Sequence, residues 1–326
     1  MDSLINFQKN TIPVMYLDSC AIIEFARYNK GYCSNVHKSE IAELYNLLLD
    51  LMRKRKILCP NGNQIEEVGM TENRKIAREF LFSYTNIDFL HPDCIYNNQL
   101  KTGYKAFINN EECVNFDIRT VCEKEITNQH AFKVSAYSIY SEEKAESIRE
   151  EKENIANILN SMKDNHEIKK DLNEQFQAEL ESEFLSFCRN VIYNPRNTEK
   201  LYLDYFNEME RFYKITGCNP NGSYEQFHNA IADYCMFLLS YYHNCLPYVL
   251  IRAKLWAYLM QRQNKIIHSD KLDVEWASAY LPFVDYAITD DNFRKTLKNT
   301  GLSEKFGVKV FSMKTIQNLI ESLSKL

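Results

Sequence analysis

Glycine is scarce in this chain: 8 residues in 326, against an ordinary share of about 7%. Few positions can therefore take the left-handed backbone of tight turns, which favours a helix-rich protein with short connections. The ten cysteines include no CxxC pair, so the close ligand spacing of a structural zinc site is missing. Scattered thiols of this kind are expected of a reduced, cytoplasmic protein. The N-terminus has no basic segment followed by an apolar run, so no leader peptide is expected. No GxxxxGK[ST] loop occurs, which removes one common phosphate cradle. Positive charge is not in excess, the formal net charge being −5. Any contact with nucleic acid must then come from a local basic surface or from bound cations. Long uncharged runs are also missing, with one exception: Tyr234 to Ile251 contains no Lys, Arg, Asp or Glu. His243, Asn244 and Pro247 interrupt that stretch, so it reads as two buried helices meeting at Pro247, and no membrane partner is expected.

With 45% hydrophobic and 25% charged residues, the chain has enough apolar material for a large core. Ile12 to Leu17 is a short apolar run ending at Asp18-Ser19, which predicts a buried strand. Ala21, Ile22, Phe25 and Ala26 then share one helical face, and Ile41, Leu44, Leu47, Leu48 and Leu51 share another. Lys56 to Pro60 predicts a second strand, and Asn61-Gly62-Asn63 a turn into a helix bearing Glu66 and Glu67. A helix over 73–84 and a short strand at Ile87 to Leu90 follow.

Between residues 96 and 262 strand signals fade and helical spacing takes over. Ile148, Ile155, Leu159, Met162, Ile168, Leu172, Phe176, Leu180, Phe184 and Phe187 make one stripe, broken near Asp164-Asn165-His166. Further helices are predicted near 198–215, 224–244 and 247–264. The α/β alternation then returns: a helix beginning at Asp273, a strand at Tyr286 to Thr289, a helix from Asp291 to Leu297, a strand at Val308 to Phe311 and a helix at Ile316 to Leu323. Strands alternating with helices at both ends predict a parallel sheet with helices on both faces, split by a helical insertion.

Acids stand where such a sheet places its chemistry. Asp18 follows the first strand, Asp290 and Asp291 follow a late one, and Glu67 and Asp273 fall at the beginnings of helices. Taken singly, each is explained by helix capping. Gathered together they would repel, and a hard divalent cation with oxygen ligands, Mg2+ or Mn2+, is the natural compensation. Arg252, Lys254, Arg262 and Lys265, with Tyr248, Trp256 and Tyr258 between them, could alternate cations and stacking rings towards nucleic acid. His268 and Trp276 read as packing residues, and Cys20 has no basic partner nearby that would make it a nucleophile.

Met15-Tyr16-Leu17-Asp18-Ser19 followed by an apolar helix resembles the opening strand of PIN-like nucleases. The run from Asp273 through a hydrophobic helix to Tyr286-Ala287-Ile288-Thr289-Asp290-Asp291 is similar to that family's later acids, a central acid and then a strand ending in Thr-x-Asp. The resemblance covers roughly 12–95 and 265–326. It implies a PIN-like doubly wound parallel sheet formed by residues 1–95 and 263–326, with an all-helical insertion over 96–262. It implies Asp18, Glu67 and Asp273 as metal ligands, with Asp291 or Asp290 completing the set, Glu66 able to replace Glu67 by a one-residue shift, and Asp270 a weaker substitute for Asp273. Asp285, at the incoming end of its strand, is structural. Family members often carry Asn two residues after the first acid, where this chain has Cys20. The implied activity is a metal-dependent endonuclease acting on RNA in preference to DNA, as a toxin or defence effector, with the insertion shaping substrate entry, binding a regulatory protein or mediating homo-oligomer formation. The competing expectation is a catalytically silent module of the same fold that holds a protein partner.

Overall fold

A computed structural model of the chain describes residues 5–33, 36–70, 74–122, 142–164, 171–187, 199–242, 245–262 and 264–326. Its strands are short: β1 Ile5–Gln8, β2 Met15–Leu17, β3 Pro60–Asn61, β4 Ile87–Asp88, β5 Val114–Asp117, β6 Tyr286–Ile288 and β7 Lys309–Phe311. β6 lies between β2 and β7, all parallel, with Leu17 opposite Ile288 and Ile288 opposite Phe311. β3 and β4 form a second parallel pair. A parallel bridge between Val14 and Leu58 ties that pair to the front of β2, the Met15 amide donating to the Leu58 carbonyl at 2.8 Å.

Successive side chains of β2 enter opposite layers. Val14 and Tyr16 join one apolar cluster, while Met15 and Leu17 join another. β6 divides in the same way, Ala287 to the first cluster and Tyr286 and Ile288 to the second. Both faces of the sheet are thus buried, which is why these strands read as continuous apolar runs without polar alternation. The second layer is built by helices Ser19–Asn29, Lys38–Arg53, Arg74–Tyr84 and Ile316–Leu323. The first is built by Pro92–Ile108, Glu199–Thr216, Tyr224–Phe237, Pro247–Gln261, His268–Tyr280 and Asp291–Asn299. The molecule is therefore mixed α/β, with short parallel strands and many helices. Among the described residues no helix is long and apolar enough to cross a membrane, and every cysteine among them is free. In the uncharged stretch Pro247 lies in the first turn of its helix, while the polar break at 243–244 lies outside the described residues.

Two expectations need correction. The segment 96–262 is not all-helical, because β5 lies inside it and pairs in parallel with β1, Phe7 opposite Phe116. Each of these strands offers only two inward apolar residues, too few for a periodic signal. Second, Asp273 does not begin its helix. The first turn is His268-Ser269-Asp270, where the Asp270 carboxylate accepts the Ile267 amide at 2.7 Å, and Asp273 sits a turn further in. The single helical stripe across residues 148–187 resolves into Glu142–Asp164 and Leu172–Phe187, and the break at 165–166 lies outside the described residues.

Candidate metal centre

The carboxyl ends of β2 and β6 lie side by side, and each strand is followed at once by a helix. Asp18 caps the Ser19–Asn29 helix, one oxygen accepting the Ser19 amide at 2.8 Å. Its other oxygen accepts the Thr289 hydroxyl at 2.8 Å, so the two strand exits are hydrogen-bonded to each other through this acid. Asp290 caps the Asp291–Asn299 helix, one oxygen accepting the Asn292 and Phe293 amides at 2.7 and 3.1 Å. Capping therefore does explain both acids locally, as helix N-termini favour. Asp290 nonetheless lines the same cleft as Asp18 and Asp273.

Asp273 arrives from the first layer on the His268–Tyr280 helix. Trp276, one turn later, orients that helix by stacking on Tyr16 of β2 at 4.5 Å and meeting Phe293 edge-on at 5.5 Å. A second tie joins the early and late parts of the chain. The Tyr16 hydroxyl donates to Asn63 Oδ1 at 2.9 Å, and the Asn63 amide donates to the Tyr280 hydroxyl at 3.2 Å. Gly62 fits beneath that ring because any Cβ there would come within 3.0 Å of the Tyr280 oxygen.

These constraints bring Asp18, Asp273 and Asp290 together: one oxygen from each lies within 4.8 Å of the others. Glu67, from helix Gln64–Met70, lines the same cleft of about 770 Å³. Burial pushes the Asp18 carboxyl up to about 6; Asp290 adds to the rise, and the Thr289 and Ser19 hydrogen bonds oppose it. Burial and then the Asp18 charge raise Glu67 to about 8. Asp273 is raised well above the ordinary range by burial and by the charges of Asp18, Glu67, Asp290 and Asp270. Burial also holds the Cys20 thiol well above its usual value, and its Sγ lies 3.8 Å from Asp18 Oδ2. It is a neutral neighbour of the acids, consistent with the lack of a basic partner.

The other acids named from the sequence are held by partners of their own, Asp270 among them although it also lines the cleft. Asp291, expected to complete the set, pairs with Arg294 at 2.8 Å, Lys295 at 2.9 Å and Lys314 at 3.3 Å. Those hydrogen bonds and charges hold its carboxyl far below the usual range. The acid facing the cluster is Asp290, one residue after Thr289 rather than two, because the capping position aims it at the strand exits while the first helical position turns towards Ser312. Glu66 pairs with Lys152 at 2.7 Å. Asp270 is held by Arg262 and the Ile267 amide. Asp285 is structural, accepting the Val14 amide at 2.9 Å and Lys9 at 3.2 Å.

The basic and aromatic residues expected on one surface are divided. Tyr258, Arg262 and Lys265 line the acidic cleft together with Asn292, Lys295 and Asn299. Tyr248, Arg252 and Trp256 line a separate cavity of about 440 Å³, and Lys254 a third. Acids, cations and amides thus line one cleft, with the Tyr258 hydroxyl accepting the Asn299 amide at 2.9 Å. Residues that sequence reasoning missed include Tyr280, Asn63 and Lys152. Nothing in the Glu-rich run around Lys152 marks it as buried. Thr289 was within the Thr-x-Asp pattern, but its bond to Asp18 depends on strand pairing. Three oxygen donors at this spacing suit a hard divalent ion that keeps several waters. Comparisons with protein-family models, with curated proteins and with solved structures give no match to this chain.

Proposed function

We propose that this chain is a divalent-metal-dependent endonuclease of PIN-like type, hydrolysing phosphodiester bonds with Mg2+ or Mn2+ as cofactor. The observation that carries the reading is the meeting, within 4.8 Å, of Asp18 and Asp290 from adjacent parallel strand exits with Asp273 from the His268–Tyr280 helix. Acids from such distant positions converge at high electrostatic cost unless a cation offsets it. A bound ion of this class activates water and stabilises charge developing on a phosphoryl group. In this reading Asp18, Asp273 and Asp290 hold the ion and Glu67 faces its water shell. Arg262, Lys265 and Lys295 attract the phosphate backbone, and Tyr258 offers a face to a base. RNA is preferred to DNA on the family resemblance alone, as is a role as toxin or defence effector; action in the cytoplasm rests on the scattered cysteines, which suit a reducing compartment.

The test is incubation with single- and double-stranded RNA and DNA in Mn2+ or EDTA, beside Asp18→Asn. Cleavage that needs Mn2+ and is lost in a folded Asp18→Asn protein is expected; undiminished cleavage by that variant removes the assigned centre. One observation favours a second reading. Cys20 stands beside Asp18 where the resembled family often has Asn, and a silent module holding a protein partner would show neither cleavage nor Mn2+ binding in calorimetry.

A further inference from the structure

The helix Glu142–Asp164 has no part in the acidic reading, yet it is tied to both elements that bring acids from outside the strand exits. Lys152, at its middle, has only 5% of its side chain exposed, and its Nζ lies 2.7 Å from Glu66 Oε1. Further along, Asn160 exchanges hydrogen bonds with the Ile266 backbone at 2.8 and 2.9 Å. Lys163 donates to the carbonyls of Leu259, Arg262 and Asn264. One part of this helix thus grips the Glu67 helix, and its end grips the loop leading into the Asp273 helix.

Burying a lysine is costly unless it is paired, so Lys152, buried on a helix whose other buried residues include the small Ala145 and Ala156, calls for a reason. The Gln64–Met70 helix is seven residues long and is pinned at its start by Gln64 Nε2 donating to the Leu17 carbonyl at 3.0 Å. Neighbours on a helix point about 100° apart. With Glu66 held by Lys152, Glu67 is directed into the cleft with Asp18, Asp273 and Asp290. A small rotation of so short an element would carry it away.

We infer that Lys152 is a positioning residue for the metal centre: through Glu66 it sets the rotation of helix Gln64–Met70 and so holds the Glu67 carboxylate in the cleft. The inference rests on the metal-centre reading and adds to it a residue from the middle of the chain. The experiment is calorimetric titration with Mn2+ at one fixed pH of the full chain, Lys152→Met, Lys152→Arg, Glu66→Gln, the Lys152→Met/Glu66→Gln double variant and Asp273→Asn, with thermal unfolding of each. Residues that orient metal ligands typically change affinity by about 10- to 100-fold, and a loss of that size is expected for Lys152→Met and for Glu66→Gln. Lys152→Arg should recover most of it, and the double variant should be no worse than either single one, because both remove the same tie. Should Lys152→Met fail to fold, Glu66→Gln carries the comparison. Folded Lys152→Met or Glu66→Gln that binds Mn2+ like the wild type overturns this inference alone. A wild type that binds no Mn2+, or Asp273→Asn that binds it equally well, overturns the metal-centre reading and this inference with it.

Discussion

Asp290 and Asp291 are adjacent in sequence and sit in opposite electrostatic surroundings. Asp290 faces Asp18 and Asp273, whereas Asp291 is enclosed by Arg294, Lys295 and Lys314. Asp290→Asn is expected to weaken Mn2+ binding by at least about tenfold, the scale of a lost metal-site contact. Asp291→Asn should leave that affinity within about twofold and only lower the melting temperature slightly, as exposed ion pairs contribute little. Calorimetry on the two variants in parallel separates them, and equal losses would count against the Asp290 assignment. The pH dependence follows from the same cluster. Asp18 and Glu67 have folded-state values of about 6 and about 8, above the usual carboxylate range near 4. Such groups bind more protons folded than unfolded, so stability falls as pH rises between the two values. The metal-free chain should therefore melt several degrees lower at about pH 8 than at about pH 5.5, and Mn2+ should reverse the loss at the higher pH. Asp291, shifted the other way, acts only at lower pH. A melting temperature that rises across this interval without metal would contradict the buried acidic cluster.

Elements set the site by packing, and the His268–Tyr280 helix shows how. Trp276 lies between Tyr16 and Phe293, fully buried, with its indole N–H unpartnered among the described residues. Trp276→Ala should cost about 3–5 kcal/mol by opening a cavity. Trp276→Phe keeps a ring against Tyr16 and removes the unsatisfied donor, so its cost should be smaller, about 1–2 kcal/mol. Denaturant unfolding gives the order, and a Phe variant as unstable as the Ala one would show that the stack is not what anchors this helix. The element scale is also where sequence reading was strongest. Met15–Leu17, Tyr286–Ile288 and Ile316–Leu323 stand out as apolar runs bounded by turn or capping residues. β1 and β5 did not, since Ile5, Phe7, Val114 and Phe116 are alternating pairs in four-residue strands. The start of the Asp273 helix was displaced because the cap depends on where Asp270 reaches, which spacing alone does not reveal.

At the scale of the whole molecule, the middle of the chain shares the core of its ends. Leu100, Tyr104, Phe116, Phe212, Phe237 and Leu246 belong to the same buried cluster as Val14, Tyr16 and Trp276. A chain in which residues 96–262 are replaced by a short linker should lack cooperative unfolding, because that layer would expose Tyr16 and Trp276 to water. Circular dichroism and a thermal melt check this, and a sharp transition would show that the ends fold alone. By itself, the sequence determined what local periodicity can encode: the main strands, most helical spans and the acids waiting at strand exits. Only the tertiary structure decided which member of each adjacent pair, Glu66 or Glu67 and Asp290 or Asp291, turns into the cleft, and that a lysine from the middle of the chain is buried beside it. Neighbouring residues share the same local signal, and the choice between them is made by distant groups that packing brings within reach.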